Sequence, residues 1–323
     1  MKFNVIDLHC DTIMHFYKGE HLAEMESCHI NKDKLLRGGV MAQCFAIFTP
    51  TGENAKKWYT GSPRNYFDKA YEAYKRELEL NSDWILPAYT PDDIRANAAA
   101  GKVSAVLTVE DAVTLEGKIE NVDQFYDLGA RIMGITWNHE NELGYPNSKD
   151  PELHKKGLKA FGFEVMERCN ELGIVLDVSH LSEGGFWDIA NNTKKPFMAT
   201  HSCARALCSH PRNLTDEQIR AVADNGGVIG INYYGLFLKD MKEGEPCTAT
   251  YDDIIRHLKH MKDVGGIDTL ALGSDYDGMR TEMEWGDAGG NQKLLAALEA
   301  AFTPTEIDKI SHENALRVLE AQH

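Results

Sequence analysis

Two histidines that each end a short apolar run constrain the fold of this chain more than any other feature. His180 ends the run 174–179, His201 ends the run 196–200, and both runs are rich in strand-forming residues. Residues 183–192 between them are long enough for the helical crossover that parallel neighbouring strands require. The two imidazoles should therefore leave adjacent parallel strands at one edge of a sheet. α/β barrels place their active sites at that edge.

Six further runs have the composition of buried strands, and most are followed by a helical pattern or by a loop that carries one. Together with 174–180 and 196–201 they predict eight parallel strands and hence a (β/α)8 TIM barrel. The six runs are 3–8, 39–48, 104–109, 130–137, 227–234 and 269–275. Helices predicted between residues 294 and 319 should close one side of the barrel. No linker-like segment divides the chain, so we predict a single domain over residues 1–323.

The charge balance limits the partners of this chain. The net charge of −16 argues against nucleic acid and anionic membranes, because binding to phosphate groups needs a basic face. The longest nearly apolar stretch, residues 227–238, is too short to span a bilayer, and no secretory signal is visible. The seven cysteines show no C-x-x-C spacing, which suits reduced thiols. We therefore expect a cytoplasmic protein without a membrane or nucleic-acid partner.

Acidic and imidazole side chains recur where the predicted strands end. The first strand is followed by His9 and Asp11, which point to the same side of an extended chain. Glu110 follows the third strand and Asp275 ends the eighth. Since the carboxyl ends of parallel strands share one rim, these side chains should meet His180 and His201 there.

This residue set predicts a binuclear metal site. Three imidazoles and two carboxylates suit Zn²⁺, but a single ion cannot take five ligands and keep an open position. Two ions can, if Glu110 bridges them. The first ion would then take His9 and Asp11, and the second would take His180 and His201. Asp275 is not needed as a ligand and is predicted to act as general base and then general acid.

Other functions on such a scaffold remain open at this point. A lactonase, a phosphotriesterase-like enzyme or a deaminase would use a related metal barrel, and a barrel could also bind a metal-chelated ligand without turning it over. Deaminases usually carry H-x-H on the first strand, whereas this chain has His9-x-Asp11. Phosphotriesterase-like enzymes generally bridge their metals with a modified lysine, and residues 103–109 contain none.

Five motifs give the chain its resemblance to a known family. They are His9-x-Asp11, Val109-Glu110-Asp111, Val178-Ser179-His180, the run from His201 to Asn213, and the run from Gly273 to Gly278. In this order along the chain they resemble the renal (membrane) dipeptidase family of zinc peptidases.

The resemblance implies an activity and further site residues. It implies two zinc ions bridged by Glu110, dipeptide substrates, and tolerance of a D-residue at the C-terminal position. Arg212 would grip the substrate carboxylate, with Tyr234 nearby. The family is often dimeric, so a homodimer is possible, and the chain resembles the bacterial cytoplasmic members.

One position departs from the family pattern. Family members commonly place a substrate-contacting histidine after the threonine of the fourth strand, but here Thr136 is followed by Trp137. His139 lies two residues further on and points the same way along an extended chain. Two interpretations of His139 follow: it replaces the missing substrate contact, or it is a surface loop residue.

Overall fold

The computed structural model describes residues 4–242 and 244–322, and a closed parallel barrel forms its centre. The chain contains eleven strands among these residues. They are β1 Val5–Cys10, β2 Val40–Phe48, β3 Ile85–Pro87, β4 Val103–Glu110, β5 Ala130–Gly134, β6 Val175–Asp177, β7 Met198–Ser202, β8 Val228–Ile231, β9 Thr248–Ala249, β10 Leu270–Leu272 and β11 Glu282–Met283.

Eight of these strands close the barrel. They are hydrogen-bonded in the order β2-β1-β10-β8-β7-β6-β5-β4, and pairing of β2 with β4 joins the two ends. The closing pair is parallel and runs in register from Ala42 against Ser104 to Phe48 against Glu110. The predicted eight-stranded barrel is therefore confirmed.

Two short additions lie outside the barrel. The strand β3 pairs with the start of β4, and β9 pairs with β11 as a separate parallel sheet. With three or two residues each, these strands are too short to show a sequence period. The sequence therefore does not predict β3, β9 or β11.

Several barrel strands end earlier than the sequence indicated. Strand β6 ends at Asp177 rather than His180, because the Asp177 carboxylate accepts hydrogen bonds from the backbone N–H and hydroxyl of Ser179. These bonds turn the backbone out of the ladder. Strands β5 and β10 likewise end at Gly134 and Leu272. At the other end, β1 begins at Val5, and residue 3 of the predicted strand lies outside the described residues.

Fourteen α-helices surround the barrel in the described part of the chain. They are α1 Ile13–Tyr17, α2 Lys32–Gly38, α3 Pro63–Leu80, α4 Pro91–Ala99, α5 Glu120–Asp127, α6 Pro151–His154, α7 Ala160–Leu172, α8 Glu183–Asn192, α9 Asp216–Asp224, α10 Gly235–Leu238, α11 Tyr251–Gly265, α12 Asn291–Leu298, α13 Pro304–Asp308 and α14 Asn314–Glu320. Short 3₁₀ segments occupy 52–57, 112–115, 267–269 and 288–290, and a π-helical turn covers 309–313. None of the helices described is both long and apolar enough to cross a membrane.

A cluster of buried apolar side chains takes members from all eight barrel strands and continues onto α14. Val175, Met198 and Val228 stand at the first positions of their strands and belong to this cluster, together with Leu316 and Leu319 of α14. The helix α14 therefore covers the N-terminal end of the barrel. This arrangement leaves the C-terminal ends of the strands open for a site.

Candidate metal centre

Six side chains predicted from strand ends meet at the C-terminal rim of the barrel. His9, Glu110 and His201 belong to β1, β4 and β7, and their ligand atoms all lie within 4.8 Å of one another. The ligand atoms of His9, Asp11 and Asp275 also lie within 4.8 Å of one another. His180, three residues beyond β6, approaches Glu110 to 3.0 Å. The fold thus brings the whole set together, while its role as a metal centre stays a prediction.

The two oxygens of Glu110 face different imidazoles. Oε2 lies 3.4 Å from Nε2 of His9, whose Nε2 is also 3.6 Å from Oδ2 of Asp11. Oε1 lies 3.0 Å from Nε2 of His180 and 3.9 Å from Nε2 of His201. One carboxylate oxygen thus belongs to each half of the cluster. A carboxylate that bridges two cations is placed in this way.

Hydrogen bonds at the far ring nitrogens orient His180 and His201. Nδ1 of His180 lies 3.1 Å from Oδ1 of Asn138, an acceptor, so Nδ1 carries the proton. The Thr200 hydroxyl donates to Asp177 at 2.6 Å and therefore accepts from Nδ1 of His201 at 2.8 Å. Both rings then turn an Nε2 lone pair into the site, and these two atoms are 3.0 Å apart. Such outer partners hold metal-binding histidines in the required tautomer.

Several buried polar atoms in the cluster have no hydrogen-bond partner. They are Nε2 of His9, Oδ1 of Asp11 and Oε2 of Glu110. A buried polar atom without a partner costs about 1–3 kcal/mol, so such a group of them calls for a bound species. Nitrogen and carboxylate donors converging in this way fit a borderline divalent cation such as Zn²⁺.

The charges within the cluster are strongly coupled. Burial, together with the charge of Arg212, lowers the pKa of His180 to about 4. Burial also holds the pKa of His201 well below its usual range. Burial opposes the ionised form of Glu110 as well, but the His9 charge and the hydrogen bonds with His180 and His9 together outweigh it and hold the Glu110 pKa well below the usual value. Burial opposes the charged form of His9, but the neighbouring carboxylates raise the His9 pKa well above its usual value. His180 and His201 are therefore in the neutral form that binds metals, whereas a metal would have to displace a proton from His9.

Asp275 occupies a constrained position beside these groups. Its φ is 63°, in the left-handed region that few non-glycine residues adopt. Its backbone N–H donates to the His9 carbonyl at 3.2 Å, and its Oδ2 accepts from Nδ2 of Asn232 at 2.9 Å. Burial raises the pKa of the carboxyl. Backbone and side chain are both held, so the free Asp275 oxygen has a defined direction.

Gly278 makes room for the two aspartates. A Cβ atom at this position would lie 1.9 Å from Oδ2 of Asp11 and 2.6 Å from Oδ1 of Asp275. No real Cβ contact is that short, so one carboxylate would have to move. The absence of a side chain at residue 278 is therefore part of the site.

Replacing Gly278 with alanine is expected to weaken metal binding by about 10–100-fold, the range seen when partners around a ligand are disturbed. The measurement is metal content after dialysis against graded chelator. Gly144→Ala is the matched control, because its new Cβ would come no closer than 3.4 Å to any atom. Equal metal retention in the two variants would contradict the proposed role of Gly278.

A cavity of about 320 Å³ opens above the cluster, and Arg212 and Tyr234 both line it. Arg212 is 4% exposed, and its Nη2 donates to the His201 carbonyl at 3.4 Å. Its Nε and Nη1 are buried without partners, while the guanidinium lies 5.3 Å from the Phe237 ring centre. Unpaired N–H groups of a guanidinium can donate charge-assisted hydrogen bonds to a carboxylate.

The structure does not bring His139 to the wall of this cavity. Nδ1 of His139 lies 2.9 Å from the Thr51 hydroxyl, and its ring covers Gly52, where a Cβ would stand 2.4 Å from Nε2. Trp137 and Asn138 line the cavity instead. The chain leaves β5 at Gly134, so the extended geometry that aligned His139 with Trp137 no longer applies. This placement favours the loop-residue interpretation of His139.

Residues that the sequence did not single out support the site. Asn138 orients His180, Thr200 orients His201, and Asn232 holds Asp275. Asn232 interrupts an apolar run and Asn138 follows a predicted strand, so both carried the signal of a polar residue at a strand end. Gly278 gave no such signal, since its requirement comes from two side chains that are distant in sequence.

Comparisons with known proteins show which family and which solved structures this chain resembles. The profile of the family described as membrane dipeptidase (peptidase family M19) matches residues 1–323. An uncharacterized protein in the pqqA 5′ region of Klebsiella pneumoniae is 38% identical over 226 residues, covering 68% of this chain and 82% of that protein. The solved structure of a dipeptidase AC, a metallo peptidase of family M19, has a TM-score of 0.89 at 25% identity and covers 100% and 99% of the two chains. A metallo peptidase from Rhodobacter sphaeroides, liganded with a phosphinate mimic of the dipeptide L-Ala-D-Ala, gives 0.88 at 26% identity over 100% of both chains.

Proposed function

The chain belongs to the membrane dipeptidase family, and on this premise we propose that it hydrolyses dipeptides at a binuclear zinc centre. The observation that carries the proposal is the division of the Glu110 oxygens between His9 on one side and His180 and His201 on the other. One ion would be held by His9 and Asp11, the other by the two remaining histidines, and Glu110 would serve both.

The protein residues around the reacting bond have separate tasks. When bound, the ions lower the pKa of water and polarise the scissile carbonyl. Asp275, fixed by Asn232 and by its own backbone, accepts the proton from the attacking water. The same carboxyl then gives this proton to the departing amine. Burial favours the protonated form that the second transfer needs.

Arg212 sets the length of the substrate. Its unpaired Nε and Nη1 would bind the C-terminal carboxylate, which in a dipeptide lies one residue beyond the scissile bond. The cavity of about 320 Å³ is of a size for such a small ligand. Tyr234, Trp137 and Phe237 form part of its wall and would contact the substrate side chains.

A dipeptide panel assayed with and without chelator tests this function. We expect hydrolysis of dipeptides, loss of activity on chelation and recovery with Zn²⁺, and two metal ions per chain by elemental analysis. Activity that survives complete removal of metal would contradict the proposal.

Comparison of L-Ala-L-Ala with L-Ala-D-Ala tests tolerance of a D-residue, which is suggested by the dipeptide mimic in the Rhodobacter sphaeroides relative.

Replacing Arg212 with alanine should raise KM for dipeptides. Loss of charge-assisted hydrogen bonds costs about 1.5–3 kcal/mol, which corresponds to an increase of about 10- to 150-fold. The control is a dipeptide with an amidated C-terminus: wild-type enzyme should cleave it poorly, and Arg212→Ala should change that rate little. Equal wild-type rates on a dipeptide and on its amide would exclude the carboxylate clamp.

The cellular setting is part of the proposal. All seven cysteines are free thiols, six of them buried, which suits a reducing compartment, and we infer a cytoplasmic enzyme. Fractionation of the source cells followed by activity assay checks this location.

A homodimer, as the family resemblance implies, stays a prediction that light scattering on the purified protein would check.

A further inference from the structure

A second cavity, of about 480 Å³, lies beside the candidate active site and shares Met279 and Arg280 with it. Its other lining residues include two imidazoles, two thiols and a carboxylate, which are the side chains that proteins use to bind transition metals. These are His15, His29, Cys28, Cys247 and Asp277. The proposed dipeptide hydrolysis uses none of these five groups.

Three side chains in and next to this cavity converge closely. The ligand atoms of His15, Glu20 and Cys28 all lie within 4.8 Å of one another. Nδ1 of His15 is 2.8 Å from Oε1 of Glu20, and the Glu20 backbone N–H donates to the His15 carbonyl at 3.0 Å. The pair is therefore held together by both backbone and side chain. We propose that these three residues form a second metal site, for a divalent cation of the Zn²⁺ or Co²⁺ type.

The chemistry of the three donors selects the class of metal. A thiolate and an imidazole favour Zn²⁺ or Co²⁺ over Mg²⁺ and Ca²⁺, which prefer oxygen ligands alone. A cation would take the place of the proton in the hydrogen bond between Nδ1 of His15 and Oε1 of Glu20. Three protein ligands would leave a further coordination position open.

The Cys28 thiol is available as a ligand for a cation. The side chain is 5% exposed and forms no disulfide. Burial, with the nearby charges of Asp277 and Glu20, raises the pKa of the thiol to about 12. The thiol is thus protonated at neutral pH until a metal displaces the proton. The carboxylates that disfavour a bare thiolate attract the divalent ion that would replace this proton.

The proposed second site and the candidate active site can be distinguished by their ligands. No cysteine belongs to the predicted active-site set of His9, Asp11, Glu110, His180 and His201. A thiolate-to-metal charge-transfer band that depends on Cys28 therefore reports on the second site. The second metal site can therefore be tested independently of the proposed hydrolytic function.

Exchange of the enzyme into Co²⁺ tests the second site. We expect a thiolate–cobalt charge-transfer band in the wild-type protein. Cys28→Ser should lose the band together with one metal ion per chain, and His15→Ala should weaken or abolish it. Cys208→Ser is the matched control, because Cys208 is a buried thiol outside this cavity that already donates to the Leu236 carbonyl at 3.3 Å.

Each possible result either supports or contradicts the second metal site. Loss of the band in Cys28→Ser and its retention in Cys208→Ser would establish the site, and an unchanged far-ultraviolet circular dichroism spectrum shows that the Cys28→Ser variant is folded. A wild-type cobalt enzyme without the band would overturn the proposal. So would a Cys28→Ser protein that keeps both the band and the full metal content.

Discussion

Replacing Glu110 with glutamine is expected to abolish hydrolysis and to reduce the metal content below two ions per chain. The amide has one acceptor oxygen and no charge, so it cannot serve the His9 side and the His180 side at once. Activity should fall by more than the roughly 10–100-fold that loss of an outer partner costs, because Glu110 is proposed as a direct ligand. Elemental analysis and a dipeptide assay on the same preparation measure both effects.

Glu77→Gln is a suitable control for this variant. Glu77 is fully buried, and its oxygens accept from the Leu22 N–H at 2.9 Å and lie 3.0 Å from Nδ1 of His21, away from the metal centre. Its replacement tests whether loss of any buried carboxylate disturbs the protein enough to release metal. If Glu110→Gln retains two ions and near-normal turnover, the bridged binuclear arrangement is wrong.

Replacing Asp275 with asparagine is expected to lower kcat by about 10²–10⁴ while the metal content stays at two. Asparagine keeps the size of the side chain and tolerates the left-handed backbone at φ 63°, but it cannot accept the proton from water. The diagnostic quantity is kcat at saturating dipeptide, because KM also changes if Asp275 contacts the substrate amino group.

Asp277→Asn is the matched control for this second prediction. Asp277 has a similar backbone conformation, with φ 66°, but its carboxylate accepts from the Thr12 hydroxyl at 2.7 Å and from the His29 N–H at 2.6 Å. We expect kcat of this variant to stay within a few-fold of the wild-type value. An unchanged kcat in Asp275→Asn would move the proton transfer to another group, and loss of a metal would make Asp275 a ligand.

The barrel was readable from the sequence because its strands are buried on both faces. Such strands appear as continuous apolar runs, and eight of them separated by helical patterns define the fold. Strand ends were less accurate, since Asp177 draws Ser179 and Thr200 into side-chain hydrogen bonds that stop β6 early. The strand β3 could not be predicted, because three residues are too few to show the alternation of side chains that is typical of a strand.

The sequence by itself determined which side chains share the rim of the barrel. In a parallel barrel every strand ends at the same face, so a polar residue at a strand end is placed by topology alone. His9, Glu110 and His201 could be assigned to one site on that ground before any distance was known. Their roles as ligands remain predictions that the Glu110 experiment addresses.

Only the tertiary structure decided how these side chains are oriented. The direction of His180 depends on Asn138, and the space for Asp11 depends on Gly278, partners that lie far apart in the chain. Folding also left two N–H groups of Arg212 unpaired within the cavity and turned His139 away toward Thr51. Hydrogen bonds and steric contacts between distant segments form only when the barrel closes. A local sequence pattern therefore specifies the rim that a residue occupies, but not the atom that it faces.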